Sequence, residues 1–388
     1  MKKYDAVIAG YICIDLIPAF KKDVAVNEVY DVLHPGRLVE IDGMESTLGG
    51  VVANTGMAMK KFSKRVFLNG LLGTDFIGKM ARESLEKYGL LEGIRIVKEK
   101  GTAFGLVIAP PDVDRIFLES PGCSELFDLH HIDYDAVADS RLFHFGYPPL
   151  LKKFYRQRGK QLASLFKKVS EMGVVTSLDF SLPDTESESG KVNWTDILKI
   201  TLPYTNIFVP SLEEALKITF PYEYTMLEAE GGNIVDNTPV DLIKELGERL
   251  IAWGANIVLI KAAHKGLFLW TGDVAAINRK QTVCLPEAEW NNRQLWCEAY
   301  PAIREKIINA SGAGDTSAAA FLTAVLNGES PAVAMKYAAI AGKNNLYCNN
   351  IFEDMPGWTI MTKELKEASV EVRDVKELLV NEGNNGKL

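Results

Sequence analysis

Asn309-Ala310-Ser311-Gly312-Ala313-Gly314-Asp315-Thr316 carries the clearest chemical content of this 388-residue chain. Two glycines flank an alanine, a carboxylate follows at once, and Ser317-Ala318-Ala319-Ala320-Phe321-Leu322 continues with helix-compatible residues. Small residues let a backbone turn tightly and approach a ligand with no side chain in the way. A loop opening into a helix presents free N–H groups and the positive end of the helix dipole, which together favour an anion. Asp315 would repel that anion unless it had its own task. Taking the proton from a hydroxyl that attacks a phosphoryl group is such a task. The plainer alternative is a glycine-rich turn with Asp315 as a helix cap, and the loop alone leaves both open.

Other residues could share a site with this loop. Asp15 closes the apolar run of residues 6–14, as a strand does where it meets a crevice. Asn54 falls in the first turn of a helix opened by Gly49-Gly50, where asparagine is an indifferent helix former. Asp15 and Asn54 together offer the acceptor and donor that a polyhydroxylated ligand needs. Ser211-Leu212-Glu213-Glu214 reads as a capping box, and also as a crevice-edge carboxylate able to hold Mg²⁺ through water. Lys261 and Lys265, either side of a turn between two strands, bring positive charge toward a nucleotide phosphate or line a solvated hairpin. Gly73-Thr74-Asp75-Phe76-Ile77-Gly78-Lys79-Met80 nearly matches a phosphate loop, but Met80 lacks the metal-ligating hydroxyl and Asp75 adds negative charge. A plain capped turn is expected there.

The elements that must position these residues follow a repeating pattern. Strand-like runs at residues 66–72, 142–145, 174–178, 207–209 and 256–261 alternate with helical runs stopped by Gly89, Gly173 and Gly254. Such βα repetition predicts a mostly parallel sheet covered by helices on both faces. Two early segments, about 16–47 and 100–125, break the alternation with short strand-like runs. They are expected to pair into one small sheet projecting as a lid over the crevice. Residues 221–238 and 278–305 read as insertions, and 381–388 as a frayed tail.

Composition narrows the classes. With 47% hydrophobic and 24% charged residues the chain is an ordinary globular protein, and a net charge of −8 disfavours nucleic acid or an acidic membrane as partner. No apolar run reaches spanning length, and the start lacks a signal-peptide core. The five cysteines are scattered without a metal-binding spacing, which suits reduced thiols in a cytoplasm.

Taken in order, Asp15, Gly49-Gly50 with Asn54, Arg115, Ser211-x-x-Glu214, Lys261 to Gly266 and Asn309 to Asp315 resemble the ribokinase-like carbohydrate kinases, the phosphofructokinase B family. The resemblance implies a single three-layer α/β/α domain over 1–380, with a mostly parallel central sheet and a small β-sheet lid. It implies an ATP-dependent, Mg²⁺-using kinase that transfers the γ-phosphoryl group to a hydroxyl of a sugar or sugar-like molecule. Asp315 would be the general base, and the backbone of Gly312, Ala313 and Gly314 the anion hole. Asp15, Gly49, Gly50, Asn54 and Arg115 would contact the acceptor; Ser211, Lys261, Ala263 and Gly266 the nucleotide; Glu214 the metal. The helix 331–342 and Lys343-Asn344-Asn345 would line the adenine. Lids of this family often pair between subunits, so the resemblance allows a homodimer through the lid and leaves the oligomeric state open. Three departures stand out: Ser211 where asparagine is usual, Ala263 where glycine is usual, and Asn309-Ala310-Ser311-Gly312 for Asp-Thr-x-Gly. The last removes a carboxylate from any monovalent-cation site beside the loop. A nucleoside kinase, or a catalytically weak sensor of the same fold, is the competing expectation.

Overall fold

Tyr4–Gly10 is a seven-residue run with every side chain buried, as expected for a strand covered on both faces at the centre of a parallel sheet. In the computed structural model, which describes residues 2–20, 35–36, 38–108, 116–308, 310–367 and 370–382, this strand is β1. The chain then enters a second sheet through β2 (Cys13–Ala19) and β3 (Gly43–Gly49), and returns as helix α1 (Gly50–Lys61) and β4 (Val66–Gly73). Helix α2 (Phe76–Lys87) and β5 (Ile94–Val97) follow, before β6 (Phe104–Ile108) and β7 (Ile116–Ser120) revisit the second sheet. Regular alternation resumes with β8 (Ser140–Gly146), α3 (Lys160–Glu171), β9 (Val175–Leu178), β10 (Ile207–Phe208), α4 (Leu212–Thr219), α5 (Val240–Ala252) and β11 (Ile257–Lys261). Three antiparallel strands, β12 (Leu267–Thr271), β13 (Gln294–Cys297) and β14 (Val372–Asp374), extend the edge, and α6 (Ala313–Asn327) and α7 (Pro331–Asn345) pack on one another.

The main sheet runs β14-β13-β12-β11-β10-β9-β8-β1-β4-β5 and is parallel from β11 to β5. Helices cover both faces. From β1 the chain first builds outward to β4 and β5, then crosses to build the other way from β8. The β1–β8 seam is therefore the switch point, where open α/β sheets form a crevice beyond their strand ends. At this seam Gly10 pairs with Gly146 and has φ +127°; a Cβ there would lie 2.4 Å from the Gly146 carbonyl oxygen.

The second sheet runs β3-β2-β6-β7 and draws on both early β-rich segments. Its geometry corrects one expectation. The run 6–14 is not one strand ending at Asp15; β1 stops at Gly10, and Asp15 lies within β2, opposite Thr47 and Gly105. The chain must turn out of the main sheet at the glycine, and hydrophobicity alone does not reveal that turn. The insertions also acquire form. Residues 221–238 contain short helices at Pro221–Ala229 and Ile234–Asn237, and 278–305 contributes β13. Arg115 and Asn309 lie outside the described residues, as do 383–388 of the expected tail.

Candidate active site

Helix α6 begins where the glycines require it. Gly312 is the N-cap in a left-handed conformation (φ +75°), so the chain turns into the helix without the penalty a side chain would incur. Gly314 and Asp315 occupy the first turn, among N–H groups that have no partner within the helix. Asp315 is 3% exposed. The Asn54 side-chain amide, from α1, donates to its Oδ2 at 2.9 Å. The Tyr147 hydroxyl donates to Oδ1 at 2.8 Å and Oδ2 at 2.9 Å. Burial raises the Asp315 pKa; Lys261 and the two donors oppose that rise without cancelling it.

On the other side stands a buried charge cluster. Lys261, at the end of β11, donates to Asp179 Oδ1 at 2.8 Å, and its amine lies 3.6 Å from where a Cβ on Gly314 would be. Burial works against the ammonium, but Asp179, Glu214 and Asp315 outweigh it and hold its pKa above the ordinary lysine value. Lys261 therefore remains a fixed positive charge beside the start of α6. Asp179 follows β9 and is fully buried; its Oδ2 has no hydrogen-bond partner among the described residues. Ser211 and Glu214 form the expected capping box, with the Ser211 N–H donating to Glu214 Oε2 at 2.7 Å. Ser211 also bridges to Lys261, so the cap of α4 is attached to the end of β11.

On the Asn54 side of Asp315 lies a polar cleft, with Asp15, Thr47, Asn54, Ser311, Asn345 and Asn350 among its lining. Gly49 and Gly50 directly follow Leu48, which lines it. A Cβ on Gly49 would collide with the Asp15 carboxylate at 2.4 Å, and one on Gly50 (φ +77°) with the Tyr11 carbonyl oxygen at 2.7 Å. Burial, then the nearby Asp315 charge, outweighs a Cys13 contact and raises the Asp15 pKa to about 6. Glu119 on β7 is exposed as a whole residue, yet its carboxylate end accepts a hydrogen bond from the buried Tyr11 hydroxyl. Burial of that end, reinforced by Asp15, raises its pKa to about 7.

The structure thus brings Asp15 and Asn54 to one cleft, joins Asn54 to Asp315 at the start of α6, and sets Lys261, with Ser211 bridged to it, beside Gly314. Ala263 has φ +48°, the left-handed conformation that a glycine would adopt without strain, and Gly266 has φ +84° with the Cys297 carbonyl packed against it. Lys265 departs from expectation. Its amine donates to the Asp236 carbonyl oxygen at 3.2 Å, tying the 221–238 insertion to the β11–β12 turn. Asn345, expected beside adenine, lines the same cleft as Asp15 and Asn54 and donates to the Ser311 carbonyl oxygen at 2.7 Å. The phosphate-loop lookalike is a capped turn: Asp75 accepts from the Gly78 N–H, and Lys79 is mostly exposed. Tyr147 and Asp179 were not singled out as site residues. A carboxylate closing an apolar strand run marks Asp179, and Tyr147-Pro148-Pro149 closes the run of β8 in the same way.

Comparison with solved structures gives the class. Arabidopsis thaliana ribokinase complexed with ribose and ATP superposes with a TM-score of 0.65 at 19% identity, covering 94% of this chain and 99% of that one. A ribokinase II from E. coli in complex with ATP and Mg²⁺ does so at 0.66 and 16% identity, covering 94% and 100%. The fold is that of the ribokinase-like α/β kinases. The model of the pfkB family carbohydrate kinases matches residues 5–347, and the chain belongs to that family. Among curated relatives, 5-dehydro-2-deoxygluconokinase of Clostridium botulinum (strain Eklund 17B / Type B) is 22% identical over 370 residues, 94% of each chain. An uncharacterised sugar kinase of Archaeoglobus fulgidus is 24% identical over 260 residues, 67% of this chain and 82% of that one. The protein is a sugar kinase, a phosphotransferase with an alcohol group as acceptor.

Proposed function

We propose that the protein transfers the γ-phosphoryl group of ATP to a hydroxyl of a sugar held in the Asp15–Asn54 cleft. Asp315 acts as general base, and the N–H groups of Gly312, Ala313 and Gly314 form the anion hole. The observation that carries this reading is the position of Asp315. A buried carboxylate with a raised pKa stands in the first turn of a helix, between a polar cleft and a fixed lysine. A base there removes the acceptor proton as the oxygen attacks, while the helix start and Lys261 face the charge of the transferring group.

Asp15, with Asn54 and Gly49-Gly50, accepts and donates to the sugar hydroxyls. The lid strands β2, β3, β6 and β7 close over them. Ser211, Lys261, Ala263 and Gly266 border the nucleotide. Mg²⁺ fits this site: the carboxylates of half-buried Glu214 and fully buried Asp179, the latter with an unpartnered oxygen, are hard oxygen donors that would hold it through water. Bound with ATP, the ion would neutralise phosphate charge. The acceptor is best sought among neutral sugars. Asp15 and Glu119 both approach the position of a Cβ on Gly105, at 2.9 and 2.8 Å, and would repel a sugar acid. The curated relative's name, 5-dehydro-2-deoxygluconokinase, makes the corresponding acid the necessary comparison.

The test is ADP release across neutral sugars, sugar acids and nucleosides, with Asp315→Asn measured on the best acceptor. The variant is expected to keep sugar and ATP affinity within about threefold and to lose roughly 10³-fold or more in kcat. Undiminished turnover in Asp315→Asn would refute the proposed base.

A further inference from the structure

Tyr147 enters the site in a way that sugar and phosphate contacts do not require. It follows β8 at the switch point with a left-handed backbone, φ 62° and ψ 46°, which a bulky L-residue adopts only where its surroundings impose it. Pro148 and Pro149 follow, both buried, and the turn closes with the Leu150 N–H donating to the Tyr147 carbonyl oxygen at 2.9 Å. The ring stacks on Tyr11, centroids 6.4 Å apart. This strained turn delivers the hydroxyl to both oxygens of Asp315.

Each carboxylate oxygen has two acceptor positions. Oδ2 accepts from Asn54 and Tyr147, whereas Oδ1 accepts only from Tyr147 among the described residues. We propose that Tyr147 is a positioning residue whose hydroxyl fixes the Asp315 carboxylate so that Oδ1 takes the proton of the sugar hydroxyl. This inference rests on Asp315 being the base. In the step it serves, the sugar oxygen bonds to the terminal phosphorus of ATP and the bond from phosphorus to the bridging oxygen breaks. ADP leaves with the electron pair, and the proton ends on Oδ1.

Tyr147 also sets the pH range of the base. The charged and titratable groups facing Asp315 are Lys261 from β11, Asp179 after β9, Glu214 from α4, Asp15 from β2 and Tyr147 itself. Burial, then Asp315 and Asp179, raises the Tyr147 pKa well above the usual tyrosine value, so it remains a donor throughout the working range. A donor to the ionised carboxylate lowers its pKa, so removing the hydroxyl raises it.

The experiment is the pH dependence of kcat for Tyr147→Phe. Its acid limb is expected to move about one unit to higher pH, with kcat at neutral pH down about tenfold and both KM values within about twofold. In the Asp315→Asn background the same change is expected to alter residual turnover less than twofold, because the two residues act as one unit. Site-specific 3-fluorotyrosine at 147, a stronger donor of nearly the same shape, is expected to move the limb to lower pH, and serves if the phenylalanine variant does not fold. An acid limb that does not move in either variant overturns the inference, as does an equal tenfold loss in Asp315→Asn. A normal Asp315→Asn loss beside an unmoved limb rejects only the role of Tyr147; full turnover in Asp315→Asn rejects the base itself.

Discussion

Asp15 shows how far a single residue's burial can act against stability. Its carboxyl titrates near pH 6 in the folded chain, raised first by burial and then by Asp315. Between the ordinary aspartate value, about 4, and 6, the folded state binds more protons than the unfolded state, so stability falls as pH rises through that window. Above it the penalty is complete, on the order of 3 kcal/mol. Asp15→Asn is therefore expected to raise the melting temperature by a few degrees at pH 7.5 and to have little effect near pH 4.5, while weakening sugar affinity at least tenfold. Thermal melts at the two pH values check the first part and calorimetry the second. Equal stabilisation at both pH values would contradict the burial argument. Asp315 and Asn54 were legible from residue type and neighbours. Tyr147 was not, because its role depends on a backbone conformation that no hydrophobic pattern encodes.

Among the elements, α6 and α1 start at glycines that serve different ends, and substitution separates them. A Cβ on Gly50 would meet the Tyr11 carbonyl oxygen at 2.7 Å in a left-handed backbone. Gly50→Ala is expected to destabilise the fold by roughly 2–4 kcal/mol, read as a lowered urea midpoint. Gly314 has helical geometry, and the nearest atom to its Cβ position is Lys261 Nζ at 3.6 Å. Gly314→Ala is expected to keep or slightly raise the urea midpoint, since alanine favours a helix by about 0.5–1 kcal/mol. It should still lower kcat at least tenfold, because the methyl enters the space needed by the transferring group. Unchanged kcat in a folded Gly314→Ala would argue against an anion hole at this helix start. Helix existence and most caps were readable from sequence: the Ser211–Glu214 box and the Asp75 cap formed where their spacing placed them. The course of Lys265 was not, since its partner Asp236 belongs to an insertion whose packing is tertiary.

At the scale of the whole molecule, the alternation of strands and helices was legible, while the order β8-β1-β4 follows from packing rather than local pattern. The second sheet exposes Ile116 and Leu118 on β7 and Met44 on β3, and Leu38 is 87% exposed just before β3. A sheet with that much open apolar surface suits pairing with a second copy through the lid. Light scattering at micromolar concentration is expected to give twice the mass of the chain, and Leu118→Glu to return it to one chain; a monomeric wild type would exclude the pairing. The seam at β1 has one more consequence, in the order of synthesis. Asp315 is held by Asn54, 261 positions earlier, and by Tyr147, 168 positions earlier. A nascent chain can lay down the centre of its sheet once β8 has left the ribosome, but the proposed base arrives only with α6. Under the proposed mechanism, chains interrupted before that helix can be folded in part and still transfer no phosphoryl group.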